Sequence, residues 1–422
     1  ATDMDRPARD KLLATMTSAV AALVLRDNYQ QGQAITLIQM KGPELLPAHA
    51  LAMDRLQASY GLNRKIEYLP GPKEIAERQH MGQGLTRPEI AVLVSYAKMA
   101  LTKDIVKSDI PDQPYATIWL ETYFPEALRK TYAAAIAQHP LRREIIATQM
   151  ANSVINRMGL DFIFTKQEQT GLSAATIVDA YLVGRDILNL HPVWNAVENL
   201  DNEIDAGVQM GLMSKTIRVL DRLVGRLLHL FGERLRTHQA PQAMKAQLTA
   251  MMPHLLTLIS SGLREQYEQR MSQLRDQKVP KGVAEAITML PFAAMACDGL
   301  QLAGNNSPID MSVKAFFAVG ERFQIDMIRH QARYLASEHR DDAAAVHGLI
   351  DSLMTAQIGL TQQILGEKGA DVETRLTEWI VGHAESVNAL DRLLANLREG
   401  HLLDLGRLVV IEQKIRQLST RA

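Results

Sequence analysis

The sequence predicts an all-α protein with at most a minor strand near residues 62–73. Long segments repeat apolar residues at intervals of three and four, which is the period of an amphipathic helix. Aromatic residues make up only 5% of the 422 residues, and alternating strand patterns are hard to find. The chain is long enough for two or three domains, each with a core of its own.

The first two predicted helices cover residues 10–27 and 44–60. The first carries an apolar stripe along one side, and the second ends at Gly61, a glycine that suits the C-terminal end of a helix. A Pro/Gly break, LPGPKE, follows at residues 69–74. The stripe of the first helix contains Leu12, Leu13, Met16, Val20, Leu23 and Val24.

The stretch GLTRPEIAVLVSYAKMAL at residues 84–101 predicts the next helix. Thr86 and Glu89 have the spacing of a capping box, and Pro88 falls in the first turn, where its missing N–H costs nothing. Apolar residues then occupy nearly every side, so neighbouring helices must cover it. We expect this helix at the centre of a helical domain, with a stripe of Ile90, Leu93, Val94, Ala97 and Leu101.

Two further helices are predicted at residues 139–159 and 170–189. The first spaces five residues at four, three, four and three, which predicts a helix-packing seam, and the second begins at Ser173 as its cap. The seam contains Leu141, Ile145, Thr148, Asn152 and Ile155.

The remaining chain predicts one long amphipathic helix at residues 207–236 and about six later helical segments. The polar stretch RTHQAPQAM at residues 236–244 has no apolar stripe and is typical of a domain boundary. We therefore predict a helical segment at residues 1–70, a central helical domain at 71–235 and a C-terminal helical bundle at 240–422.

Composition limits the classes of function. Lys and Arg number 46 against 47 Asp and Glu, so no overall field favours nucleic acid or an acidic membrane. The single cysteine, Cys297, lies among small apolar residues and is expected to be an inert buried thiol in a reducing compartment. No apolar run approaches the ~20 residues of a membrane span, and the charged N-terminus does not resemble a signal peptide. We expect a cytoplasmic protein.

Motifs for cofactor or metal chemistry are not found. Neither phosphate-cradling glycine loop occurs, nor does H-E-x-x-H or G-x-S-x-G. Glu77 and His80 form a single E-x-x-H, which a four-helix di-iron site would need twice. We predict no catalytic, cofactor-binding or metal-binding residue in this chain, and an exposed helix face at Glu77 and His80.

Two polar patterns remain as candidate sites. Gln149, Asn152 and Asn156 share one helical face; they could line a ligand pocket or bond across helices to fix their register. The second pattern is a basic stripe, which could grip phosphates, form a solvated face, or pair with the acidic residues Asp201, Glu203 and Asp205. The stripe consists of Lys215, Arg218, Arg222 and Arg226.

Several stretches together resemble one family. They are GLTRPEIAVLVSYAKMAL at 84–101, YFPEALRKTYAAAIAQHPLRREIIATQMANSVINRMG at 123–159 and ENLDN at 198–202 after the Trp194 helix. DKLLATMTSAVAALVLRDNYQQGQA at 10–34 agrees, and AFFAVGERFQIDMIRHQ at 315–331 fits more loosely, with Met327 where an aromatic is expected. The chain is similar to the C-terminal helical region of the large class of bacterial NAD-specific glutamate dehydrogenase.

This resemblance implies that the catalytic domain, with the NAD site and the catalytic residues, lies upstream of residue 1. The parent enzyme would convert L-glutamate, NAD and water to 2-oxoglutarate, ammonium and NADH. This region would bind no cofactor itself and would be inactive alone. Its partners would be its own catalytic domain and other subunits of a homo-oligomer, in assembly or regulation. Residues 10–38 would then have lost a native contact, so their stripe should be paired otherwise, poorly ordered or folded back.

Two other classes of function stay open at this stage. One is a free-standing helical scaffold or adaptor, which the lack of an initiating Met does not favour. The other is a small all-helical enzyme with a pocket around Asn152 and Asn156.

Overall fold

Every regular element in the described part of the chain is a helix, which confirms the all-α prediction. The computed structural model describes residues 4–237, 239–302, 308–332, 335, 340–398 and 403–420. Residues 62–73 form turns and the start of a helix, without a strand. The side chain of Asn63 accepts hydrogen bonds from the backbone N–H groups of Lys65 and Ile66, which bends the chain back on itself.

The α-helices are α1 Arg6–Met40, α2 Gly42–Ser59, α3 Pro72–His80, α4 Arg87–Lys107, α5 Thr117–Tyr123, α6 Glu126–Thr131, α7 Ala133–Ala137, α8 Arg142–Met158, α9 Phe162–Thr170, α10 Ala174–Ile187, α11 Leu190–Glu198, α12 Ala206–Phe231, α13 Gln239–Met251, α14 Leu255–Leu258, α15 Ser261–Asp276, α16 Lys281–Leu300, α17 Ile309–Arg322, α18 Ile325–Ala332, α19 Arg340–Gly366, α20 Val372–Gly382, α21 Ala384–Arg398 and α22 Leu405–Thr420. Short 3-10 turns occur at Ile110–Asp112, Pro114–Ala116, Gly232–Thr237 and Met252–His254.

The chain divides into two units by its internal contacts. The first holds Ala1–Leu182 and Leu227–Arg236, and the second holds Val183–Arg226 and Thr237–Ala422. Residues 239–244, where the sequence suggested a boundary, form the start of α13. The division into segments 1–70, 71–235 and 240–422 stays a prediction.

Helix α4 is a central helix of the first unit, as the sequence predicts. It packs against α1, α2 and α8, and its whole predicted stripe is buried. The capping box forms, because a carboxylate oxygen of Glu89 accepts the backbone N–H of Thr86 at 2.7 Å. The same carboxylate receives both guanidinium nitrogens of Arg78 at 2.8 Å, which ties α3 to the start of α4.

The packing seam predicted on α8 is wrong at two of its five residues, although a third, Ile155, is buried. Leu141 is 55% exposed and Thr148 is exposed, whereas the buried face carries Ile146, Met150 and Val154. Small residues on this face, Ala147 and Ala151, allow α4 to approach closely. Adjacent apolar residues give α8 two stripes with the same period, and tertiary packing selects the one with alanines.

Helix α10 begins where the sequence predicts. The Ser173 hydroxyl accepts the backbone N–H of Thr176 at 3.1 Å, which satisfies one of the free donors of the first turn. Residues from Thr176 to Gly184 are all buried, so the helix is covered on every side. Its polar members are bonded accordingly: Asp179 accepts a hydrogen bond from the Tyr115 hydroxyl.

The second unit has a large core formed by α17 to α22 around Trp379. The indole N–H of Trp379 donates to the Gln363 side chain at 3.0 Å, and its ring stacks on His383 at 4.2 Å. Phe323 meets the same indole edge-on. These contacts satisfy the one polar group of a large buried side chain.

Helix α16 is the one helix in the described residues that is long and apolar enough to cross a membrane by length and composition. About two thirds of its apolar window is buried against the rest of the protein, with α11, α13, α15 and α17 as its neighbours. This burial is typical of a core helix.

Helix α1 is longer than predicted and buries only its C-terminal part. Gln33, Ala34, Leu37 and Ile38 are its buried residues. The predicted stripe on its N-terminal part lies largely on the surface: Leu13, Val20, Val24 and the neighbouring Leu25 are between 42% and 68% exposed.

Candidate functional site

The three amides predicted as a candidate site lie on one side of α8, near its buried face. Asn156 is buried, whereas Gln149 and Asn152 are half-buried. The side-chain oxygen of Asn156 has no hydrogen-bond partner among the described residues. The structure does not choose between a ligand pocket and an interhelical amide cluster, and both stay predictions.

Two buried polar pairs, for which the sequence contains no local signal, flank the turn between α8 and α9. Arg157 at the end of α8 donates to the Gln33 side chain of α1 at 3.1 Å. His49 of α2 is fully buried, and its Nε2 lies 3.8 Å from a carboxylate oxygen of Asp161. Gly159 has a φ of 102°, a conformation that favours glycine, and it forms the turn between Arg157 at the end of α8 and Asp161 at the start of α9.

The His49 imidazole is in an unusual environment. Neither ring nitrogen has a hydrogen-bond partner among the described residues, because 3.8 Å is too long for a hydrogen bond. Burial lowers the pKa of His49, and the Asp161 carboxylate opposes that shift only in part. The imidazole is therefore neutral at pH 7. A neutral ring sealed from solvent is suited to a structural role rather than to proton transfer.

The predicted basic stripe on α12 is divided by the structure. Arg226 is separated from the other three residues because it forms a buried ion pair: its Nε donates to a carboxylate oxygen of Asp298 on α16 at 2.6 Å. Burial raises the pKa of Asp298 despite this partner, so desolvation of the carboxylate outweighs the attraction. A side-chain nitrogen of Arg226, Nη1, is buried without a hydrogen bond.

Lys215, in the rest of the stripe, is also affected by a charge on another helix. The positive charges of Arg218 and Arg222 on α12 and of Arg270 on α15 all act on Lys215. Burial and these like charges lower the pKa of Lys215 to about 8. Within the described residues, the alternative pairing of the stripe with Asp201, Glu203 and Asp205 is not formed; Asp205 instead caps α12 by accepting the Val208 N–H at 3.0 Å.

The remaining residues considered from the sequence are Cys297 and the Glu77–His80 pair. Cys297 is buried, and its thiol pKa is raised by that burial and by Asp298, which agrees with an inert thiol. Glu77 lies 3.9 Å from Lys73 one turn earlier on α3. In the part of the chain that the structure describes, no three His, Cys, Asp or Glu side chains gather as metal ligands would.

Comparison with known proteins gives the family. The family model described as "Glutamate dehydrogenase, C-terminal" matches residues 82–417, well over half of the chain. The chain belongs to this family. The resemblance noted in the sequence is thereby confirmed.

Curated relatives of this glutamate dehydrogenase C-terminal family agree along nearly the whole chain. The NAD-specific glutamate dehydrogenase of Pseudomonas aeruginosa is 32% identical over 99% of this chain and 26% of its own length. That of Halomonas elongata is 32% identical over 90% and 24%, and that of Mycobacterium tuberculosis is 28% identical over 97% and 25%. The chain thus spans about a quarter of the length of these relatives.

Proposed function

We propose that this chain is the non-catalytic C-terminal helical region of an NAD-dependent glutamate dehydrogenase. The complete enzyme would oxidise L-glutamate with NAD and water to 2-oxoglutarate, ammonium and NADH, in the cytoplasm. NAD would bind the catalytic domain, and this region would bind none. Its partners would be that domain and other subunits, and its role would be assembly or regulation.

The observation that carries this proposal is the exposed stripe of α1. Leu13, Val20 and Val24 are spaced by seven and four residues, so they lie on one face of the helix. Each is at least 42% exposed, and no described part of the chain covers them. A row of large apolar side chains in water is typical of a surface that packs on a partner.

The length of the relatives supports a partner within the same protein. They are about four times as long as this chain, so most of each relative is protein to which a matching helix could dock. The family description places the matching region at the C-terminal end. The occupant that we propose for the α1 stripe is therefore the remainder of the same enzyme, in the same or a neighbouring subunit.

The test places three substitutions, Leu13→Ser, Val20→Ser and Val24→Ser, in the complete enzyme. We expect a smaller assembly by light scattering or a changed kcat for glutamate-dependent NADH formation. The matched control carries Thr15→Ser and Ala22→Ser on the opposite face of α1 and should behave as the unaltered enzyme. Unchanged mass and kinetics in the triple variant would overturn the role of α1.

A second measurement concerns the isolated chain. Incubated with glutamate and NAD, it should form no NADH, and it should show no binding of NAD by calorimetry. Turnover by the chain alone would contradict its assignment as a non-catalytic region.

A further inference from the structure

The first unit carries a continuous aromatic and apolar surface between the end of α5 and the start of α8. The rings of Tyr123 and Phe124 meet edge-on with their centroids 5.2 Å apart, and the Phe124 ring lies 5.8 Å from the imidazole of His139. The backbone N–H of Leu141 donates to Nδ1 of His139 at 3.1 Å. These contacts join the four residues, which we call the aromatic patch, into one surface.

The aromatic patch is open to solvent at both of its ends. Tyr123 is 47% exposed and Leu141 is 55% exposed, whereas Phe124 and His139 between them are half-buried. Helices α6 and α7 connect the two ends, but Ile136 is the one buried residue in the connecting segment 126–138. Adjacent large apolar side chains on a surface are typical of a site that packs on a partner.

The aromatic patch is held in its shape by hydrogen bonds from its neighbours. Arg129 of α6 donates through Nε to the Phe124 carbonyl at 2.8 Å and through Nη2 to the Thr122 carbonyl at 3.2 Å, which satisfies acceptors at the end of α5. The backbone N–H of Arg142 donates to the His139 carbonyl at 3.0 Å. A surface that is ordered before it binds loses little conformational entropy when a partner docks.

The apolar pattern of α8 leads to the same conclusion. Leu141, Ile145 and Ile155 belong to one stripe whose spacing predicts a packing seam. The chain buries the C-terminal end of this stripe at Ile155, leaves Ile145 half-buried, and leaves Leu141 largely in water. A partner outside this chain would complete the packing at the N-terminal end.

We propose that the aromatic patch is a second docking surface for the remainder of the same polypeptide, the part of the enzyme that lies outside this chain. The chain spans about a quarter of the length of its relatives, and the family description places the matching region at the C-terminal end. A tyrosine such as Tyr123 is a preferred anchor in interfaces. This inference rests on the proposed function for the longer polypeptide, but it does not depend on docking of α1.

The experiment places a photoreactive phenylalanine analogue at position 141 of the complete enzyme. After irradiation and digestion, mass spectrometry should identify cross-links from this position to peptides that lie outside this chain. The matched control carries the same analogue at position 381, because Val381 of α20 is 69% exposed and belongs to the second unit. The control should give no such cross-link.

Each other outcome of this experiment overturns the proposal. Cross-links from position 141 to the same surface of another copy would mean that this face associates with itself. Equal cross-linking from both positions would mean random collision. Cross-links confined to this chain, or none at all, would mean that the remainder of the polypeptide does not cover the aromatic patch.

The substitution Tyr123→Lys supplies a second measurement, thermal unfolding, that needs no cross-link. Tyr123 is exposed in the isolated chain, so the Tm of that chain should not change. In the complete enzyme the lysine would be buried in an apolar interface, so Tm should fall. A fall in both proteins, or in neither, would contradict the proposal. Failure of the proposed function is recognised separately, because the complete protein would then form no NADH from glutamate and NAD.

Discussion

His49 shows how one buried side chain makes the stability of the first unit depend on pH. Its ring is sealed in the protein, 3.8 Å from the Asp161 carboxylate, and no described residue bonds either nitrogen. Burial penalises the charged form, so the folded protein resists binding a proton that the unfolded chain accepts readily.

The pKa of His49 is below its ordinary value of 6.5 in the folded protein, so the direction of its effect follows. Above pH 6.5 the ring is neutral in both the folded and the unfolded state, so it does not change the free energy of unfolding. As the pH falls below that value, only the unfolded chain takes up the proton, and the free energy of unfolding decreases by about 1.4 kcal/mol per pH unit until the folded pKa is reached. Urea unfolding between pH 8 and pH 5 should show this slope, and His49→Gln should reduce it. Identical pH profiles for the two proteins would contradict the assignment.

Two glycines in direct contact give a second test at the residue scale. A Cβ on Gly84 would lie 2.5 Å from the carbonyl carbon of Gly42, which is too close for any rearrangement of side chains to relieve. Gly84→Ala should lower the free energy of unfolding by about 1–3 kcal/mol. Gly32→Ala is the control: nothing lies within 4 Å of its Cβ position inside α1, so it should raise helix stability by about 0.5–1 kcal/mol. Chemical denaturation measures both.

Single residues also show which parts of a site a sequence can predict. Thr86 and Glu89 were predictable because the capping box acts over three residues of chain. The effect of Arg270 on the pKa of Lys215 was not predictable, because it depends on how α15 packs, and the sequence contains no local signal for that packing. Arg226 was assigned to the basic stripe by its spacing, yet its partner Asp298 lies 72 residues away.

At the scale of helices, the sequence predicted that a segment is helical more reliably than it predicted which face of that helix is buried. Helix α4 has one broad apolar surface, so its buried face could be read directly. Helix α8 offers Ile145 and Ile146 side by side, and each continues into a stripe of its own. The choice between the stripes depends on the shape of α4, which periodicity does not contain.

The ion pair between α12 and α16 leads to a prediction about helix packing. Asp298→Asn would leave the Arg226 guanidinium buried without a counter-charge, and we expect a loss of about 3–5 kcal/mol in the free energy of unfolding. The double variant Arg226→Met with Asp298→Leu should recover most of that loss, because an apolar pair needs no desolvation. Chemical denaturation of both variants tests this. A double variant as unstable as the single one would mean that the pair itself stabilises the fold.

At the scale of the whole molecule, the unequal burial of α1 predicts unequal protection of its backbone. None of residues 6–30 is buried in this chain, whereas α4 and α10 are enclosed. In the isolated chain, hydrogen exchange should be fast in the first part of α1 and slow in α4 and α10. In the complete enzyme the first part of α1 should become protected. Fast exchange there in both proteins would argue against a docked α1.

The apolar character of α16 has a consequence for how this protein is made. Gly299 at the end of α16 approaches the backbone of Val313 so closely that a Cβ there would lie 2.9 Å from its Cα, so α17 seals this end. A chain without α17 would expose this end of a helix whose length and hydropathy resemble those of a membrane span. We therefore expect a chain that ends before Ile309 to aggregate or to bind detergent, because the apolar surface at this end of α16 would lie in water.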